Sequence, residues 1–184
     1  MSSKKNTRDS PKGEVFTIGH SVHPLEEFMA LLKTYHIQLL VDIRTLPGSK
    51  RVPQYNKENL APSLGAEGIA YIHMKDLGGL RHTTKASPNT AWRNKSFRGF
   101  ADYMQTPEFI RGLEELVRDA RERRTVIMCA EAVPWRCHRS LVGDALLVRG
   151  FAVKDIFTAK KWAPHQLTSF AHVDGLKITY PAVP

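Results

Sequence analysis

Arg124-Thr-Val-Ile-Met-Cys-Ala-Glu-Ala-Val-Pro-Trp-Arg-Cys-His-Arg139 runs from a short apolar segment into two thiols, a carboxylate, an imidazole and two guanidinium groups. Thr125 to Met128 has the composition of a β-strand, and residues 134–149 read as a helix closed by Gly150. The reactive side chains therefore fall where a strand hands over to a helix. In an open parallel sheet that is the edge on which ligands bind.

The rest of the chain repeats this alternation. Residues 14–18 read as a strand ending in Gly19-His20-Ser21, and residues 24–36 follow as a helix, with Leu25, Phe28, Met29, Leu31 and Leu32 at helical spacing. Residues 38–43 form a nearly continuous apolar run, as in a strand buried on both faces. Asp42 interrupts it. A carboxylate there is costly unless paired, and Arg44 projects to the same side, either as a structural ion pair or as a pair lining a cleft. Pro47-Gly48, Pro53 and Pro62 mark a loop with one short helix at 57–64, and residues 69–74 read as the third strand.

Asp76-Leu-Gly-Gly-Leu-Arg-His82 is a turn signal, and residues 83–96 lack periodicity, a long loop of the kind that is a lid, a binding loop or a disordered segment. Residues 97–104 read as a short helix. Thr106 caps the next one, Pro107 opens it, and its amphipathic pattern runs to about Arg123. Residues 152–158 are the last expected strand, and the tail from Lys160 reads as polar and proline-rich. The expected fold is α/β: a Rossmann-like, three-layer sandwich with a mostly parallel sheet, in one domain over residues 13–184. Residues 1–12 are polar and basic without an apolar segment, which reads as a disordered leader and not a signal peptide.

The 184 residues are 42% hydrophobic and 24% charged, globular values, and no apolar run is long enough for a membrane helix. Two cysteines are too few for a secreted disulfide framework, which points to the cytoplasm. A net charge of +9 suggests an anionic partner, either a small molecule or nucleic acid. Between residues 81 and 98, Lys85, Arg93, Lys95 and Arg98 alternate with Trp92 and Phe97. That mixture suits stacking on bases beside a phosphate backbone, or a solvated loop anchored by Trp92.

A helix starting at Pro134 would aim free backbone N–H groups at the strand edge, and Arg136, His138 and Arg139 would add donors for an anion there. Cys137 beside His138 would be an activated nucleophile. The spacing nevertheless misses the phosphatase pattern, because six residues, not five, separate Cys129 from Arg136. Cys129, Glu131, Cys137 and His138 are metal-ligand types, but seven residues between the cysteines match no common zinc spacing, so no metal site is assigned. In the plainest case Cys129 and Cys137 are core residues and Glu131 holds an arginine.

Five blocks together suggest a family: Thr17-Ile-Gly-His-Ser21, Val41-Asp-Ile-Arg44, Leu77-Gly-Gly-Leu-Arg81, Phe97-Arg-Gly-Phe-Ala-Asp-Tyr-Met104, and Cys129-Ala-Glu131 followed by Cys137-His-Arg139. In this order they resemble the bacterial and archaeal family called domain of unknown function 488, over roughly residues 15–157. The resemblance implies a small α/β protein of unassigned activity. Residue chemistry then leads to an expected enzyme acting on a phosphorylated, nucleotide or nucleic-acid substrate in a cleft of strand ends. Glu131, Cys137, His138, His20 and Asp42 are its candidate catalytic groups, and Ser21, Arg44, Arg81, Arg136 and Arg139 its substrate ligands. The alternatives are a non-catalytic nucleic-acid binder using Lys85, Trp92, Arg93, Lys95 and Arg98, or a Cys/His metal or redox protein. No cofactor and no oligomeric state follow from the sequence.

Overall fold

Along each central strand, alternate residues are buried on opposite sides, and that period of two builds the architecture. The computed structural model describes residues 11–182. Most of the expected leader lies outside them, but Lys12 is held, its N–H donating to Gly150 O at 2.9 Å. The sheet comprises β1 (Glu14–Gly19), β2 (Leu39–Asp42), β3 (Ala70–His73), β4 (Thr125–Cys129), β5 (Ala152–Thr158) and β6 (Lys161–Pro164) in the order β3-β2-β4-β1-β5-β6. All neighbouring pairs are parallel except β5 with β6. Thr125 to Cys129 are buried along their whole length, which is why β4 can sit in the middle.

One face of the sheet presents Phe16, Ile18, Leu40, Val126 and Met128 to α1 (Leu25–Thr34) and α2 (Lys57–Ala66). The other presents Val15, Leu39, Val41, Ile127 and Cys129 to α3 (Lys95–Tyr103), α4 (Pro107–Glu122) and α5 (Arg139–Val148). The result is the expected three-layer α/β arrangement with a mostly parallel sheet. α4 is amphipathic as its spacing requires, with Thr106 capping Phe109 N–H and Leu113 and Leu116 fully buried. Each such leucine contributes roughly 1.5–3 kcal/mol of transfer free energy. No helix among the described residues is long and apolar enough to cross a membrane.

Two departures matter for the site. The helix expected from Pro134 is only a single 3-10 turn, Pro134–Arg136; Cys137 is extended (φ −139°, ψ 143°), and α5 begins at Arg139. The tail also contains the edge strand β6 and a hairpin, β7 (His172–Asp174) with β8 (Lys177–Thr179), where no strand was expected. These strands are short, and β7 is exposed throughout, so the sequence carries little hydrophobic alternation there.

Candidate thiol and imidazole site

β1, β4 and β2 are adjacent and end on one edge, so the strand-end residues do converge. The ladder continues past the strands: His20 N–H donates to Cys129 O at 3.0 Å and Ser21 N–H to Ala130 O at 2.9 Å. Gly19 makes this closeness possible, since a Cβ there would fall 1.7 Å from Glu131 O. What the sequence did not show is that the sheet divides the group. Asp42 lies level with Met128 and shares its face, whereas Cys129 faces the other way.

On the α1–α2 side the polar groups satisfy one another. Arg44 donates from Nε to Asp42 Oδ1 at 2.9 Å and from Nη2 to Asp42 Oδ2 at 2.6 Å, and Nη2 also reaches Tyr55 O at 2.7 Å. Tyr71 OH donates to Asp42 Oδ2 at 2.7 Å. His20 stacks on Tyr55, with Nδ1 2.8 Å from Ser21 O and Nε2 3.2 Å from Arg44 Nη1. Arg44 has only donors, so Nε2 accepts and Nδ1 carries the proton. Burial and the Arg44 charge lower the pKa of His20, against the Ser21 hydrogen bond.

His20, Asp42 and Arg44 are thereby joined in one closed network. His20 has no nitrogen to spare, Asp42 is 0% exposed, and the Arg44 guanidinium is spent on a buried ion pair, the structural alternative named above. Ser21 offers chiefly its backbone, at a left-handed φ of 48°. Tyr55 and Tyr71 complete this network and were missed. Neither stands in a polar motif, so only three-dimensional pairing reveals them.

On the α3–α5 side lies a different centre. His138 Nε2 is 3.0 Å from Ile43 O and 3.1 Å from Leu77 O, so it carries the ring proton. Nδ1 then faces Cys129 Sγ at 3.9 Å and Cys137 Sγ at 3.8 Å. Both thiols are free and buried. A hydrogen bond from Cys137 holds the Cys129 thiol well below its ordinary range, against burial, while the same partnership and then burial raise Cys137. Gly79 packs against the ring, where a Cβ would stand 2.9 Å from Nδ1, and Phe100 packs 4.8 Å from the ring centre.

Arg139 is fully buried, donating from Nη1 to Glu131 O at 2.5 Å and from Nη2 to Ala132 O at 3.1 Å. It holds the loop after β4 and does not reach out to an anion. Because α5 starts late, several of the amides expected to bind that anion are engaged: Arg136 N–H bonds Val133 O, Cys137 N–H bonds Pro134 O and Arg139 N–H approaches Cys137 Sγ. Glu131 and Arg136 are exposed on the rim. The Glu131 backbone carbonyl, not its carboxylate, is what holds an arginine.

Next to this centre is a groove of about 700 Å³ lined by Arg81, His82, Lys85, Lys95 and Arg98 among others. Leu80 and Arg81 follow directly on Gly79, and Gly99 and Phe100 follow Arg98, so groove and imidazole share their walls. Arg81 is fixed over Tyr103, 3.6 Å from the ring centre, and donates to Gly78 O at 3.0 Å. Arg98 Nε donates to Trp92 O at 3.0 Å. Lys85, Arg93 and Lys95 are exposed. Trp92 is not available for stacking on a base: it packs among Phe97, Phe170 and Tyr180.

A further polar cluster sits under β6. His165 bonds Asp155 Oδ2 through Nδ1 and Asp144 Oδ1 through Nε2, both at 3.0 Å. Tyr180 OH donates to Asp144 Oδ2 at 2.9 Å and Thr17 Oγ1 to Asp155 Oδ1 at 2.6 Å. Burial opposes the charge on His165, but the two carboxylates outweigh it and push its pKa up to about 9. The sequence hid this group because His165 lies in the tail and Asp144 inside an apolar helix.

Fold and edge define a mostly parallel α/β protein with a compact thiol–imidazole centre at its carboxyl strand edge. The chain belongs to the family described as domain of unknown function DUF488, whose pattern matches residues 24–146. That span includes the Cys129 and Cys137-His-Arg139 blocks but not the first block, 17–21. No curated protein and no solved structure matches the chain.

Proposed function

We propose that the chain is an enzyme that takes a phosphorylated, nucleotide or nucleic-acid substrate into the basic groove and acts on it at the adjoining thiol–imidazole centre. The observation carrying this reading is the shared wall: the Gly79-Leu80-Arg81 segment touches His138 on one side and lines a groove of five basic or imidazole side chains on the other. Lys85 and Lys95 are exposed and supply free positive charge at the surface; Arg81 and Arg98 are fixed by backbone carbonyls and give the groove its shape. Anions are drawn to such a surface through long-range attraction and counterion release. Glu131, exposed on the rim, is the acid/base group this reading leaves free.

A non-catalytic nucleic-acid binder is the second reading, favoured by the complete pairing of His20, Asp42 and Arg44, which engages two of the five expected catalytic groups and one expected substrate ligand. One experiment separates the two. The protein is titrated with labelled nucleotides and short oligonucleotides at several salt concentrations, and bound compounds are then incubated and analysed by mass spectrometry. Binding that weakens with salt, with a slope reduced by about 1.4 in the Lys85→Ala/Lys95→Ala double variant, supports the groove. A product formed by the unmodified protein and not by His138→Gln supports the enzyme, whereas binding with no product supports the second reading. Binding unaffected by the double variant contradicts both.

A further inference from the structure

His138, Cys129 and Cys137 present three electron-pair donors to one another, with ligand atoms all within 4.8 Å. The ring is oriented for this. Nε2–H is tied to two backbone carbonyls, the outer contact that metal-bound histidines almost always make, leaving the Nδ1 lone pair toward both sulfurs. In a tetrahedral zinc site, bond lengths near 2.3 Å to sulfur and 2.0–2.1 Å to nitrogen separate those ligands by about 3.6 Å. The observed 3.8 and 3.9 Å are a few tenths longer, within the reach of small side-chain adjustments. Any side chain at position 79 would press on Nδ1, a contact that glycine avoids.

The spacing objection raised by the sequence also dissolves. Common zinc spacings describe fingers and ribbons. Here the 3-10 turn Pro134–Arg136 folds Cys137 back beside the end of β4, so seven intervening residues still bring the sulfurs together.

We propose that Cys129, Cys137 and His138 bind one zinc-class divalent ion, with three protein ligands and a fourth position open to water or substrate. Thiolate and imidazole donors favour zinc over magnesium, calcium or manganese. Binding displaces to solvent whatever protons the two thiols still carry, so the ion and two thiolates are neutral together. The group numbers three among the described residues, and three ligands plus an open position is the arrangement of catalytic and not structural zinc. The ion's position then supplies the reading above with a means of activating water. The inference rests on that reading for its centre but not for its groove, so the two fail separately.

The test is a cobalt titration of the reduced, chelator-treated, full-length protein. Expected are thiolate-to-cobalt charge-transfer and tetrahedral visible bands that saturate at one equivalent and are displaced by zinc. Cys129→Ala and Cys137→Ala should abolish the charge-transfer pattern, and His138→Gln should weaken binding at least 10-fold. Because a variant can lose binding by misfolding, a second measurement uses the unmodified protein: zinc should protect both thiols from alkylation, read by intact mass. Absence of cobalt bands overturns the proposal, as do bands that survive Cys129→Ala, or thiols alkylated at one rate with and without zinc. A disulfide formed in air by protein that takes up no metal overturns it in favour of redox chemistry. Loss of oligonucleotide binding in the lysine variants, with cobalt binding intact, concerns the groove alone.

Discussion

Two histidines pack against α5, His165 over Gly143 at its middle and His138 at its start, and they are surrounded in opposite ways. Each His165 nitrogen has a carboxylate, and those carboxylates are filled by Tyr180, Thr168 and Thr17. His138 has one nitrogen on carbonyls and the other facing two sulfurs, with no carboxylate in the group. A buried polar cluster whose valences are all filled holds a fold together. One that turns an imidazole nitrogen and two sulfurs toward a common point has the donor set of a soft-metal site. On this comparison His20, with both nitrogens used, belongs with His165.

The comparison makes stability and binding come apart. The largest stability effect is expected from Asp144→Ala, which strips His165, Tyr180 and Thr168 of a shared partner on a fully buried residue. Breaking such a buried pair costs about 3–5 kcal/mol in denaturant unfolding. Cys137→Ala should cost only about 1 kcal/mol and yet remove metal binding. Equal costs would erase the distinction.

The pH dependence should follow His165 next. Its folded pKa is near 9 and its unfolded value near 6.5, so the folded state holds the proton more tightly. Its contribution is full below about pH 6.5 and disappears as pH rises through about 9, on the order of 3 kcal/mol in all. Urea unfolding across that window should show the decline, and His165→Gln should flatten it. A decline unchanged in the variant would assign it elsewhere.

Gly79→Ala is smaller and sharper. Its Cβ meets a ring fixed by two carbonyls, so overpacking should cost about 1–3 kcal/mol while displacing Nδ1. Cobalt bands should vanish from a protein that remains folded by circular dichroism. Smallest of all, Lys95→Ala should leave stability within about 0.5 kcal/mol and alter only anion binding, measured by the same titrations.

Much of this fold was readable in the chain. The alternation of apolar strands and amphipathic helices, the Thr106-Pro107 helix start and the buried composition of β4 are local signals, and the structure follows them. The convergence of the ends of β1, β2 and β4 was also anticipated. The division of that edge was not, because which side Asp42 and Cys129 occupy depends on cross-strand register. Likewise Arg139 reads as a surface anion ligand until the loop at Glu131 folds over it. The Cys-to-Cys spacing concealed a metal-like geometry that only the short turn at Pro134 creates.

The most direct measurement is the thermal shift produced by zinc in the reduced protein, compared with His138→Gln and His165→Gln. Zinc at about 100 times its dissociation constant should add roughly 2.7 kcal/mol. The account predicts a raised melting temperature in the unmodified protein and in His165→Gln, though the latter starts lower, and a gain cut to about half or less in His138→Gln. No shift in the unmodified protein, or an undiminished shift in His138→Gln, would contradict it.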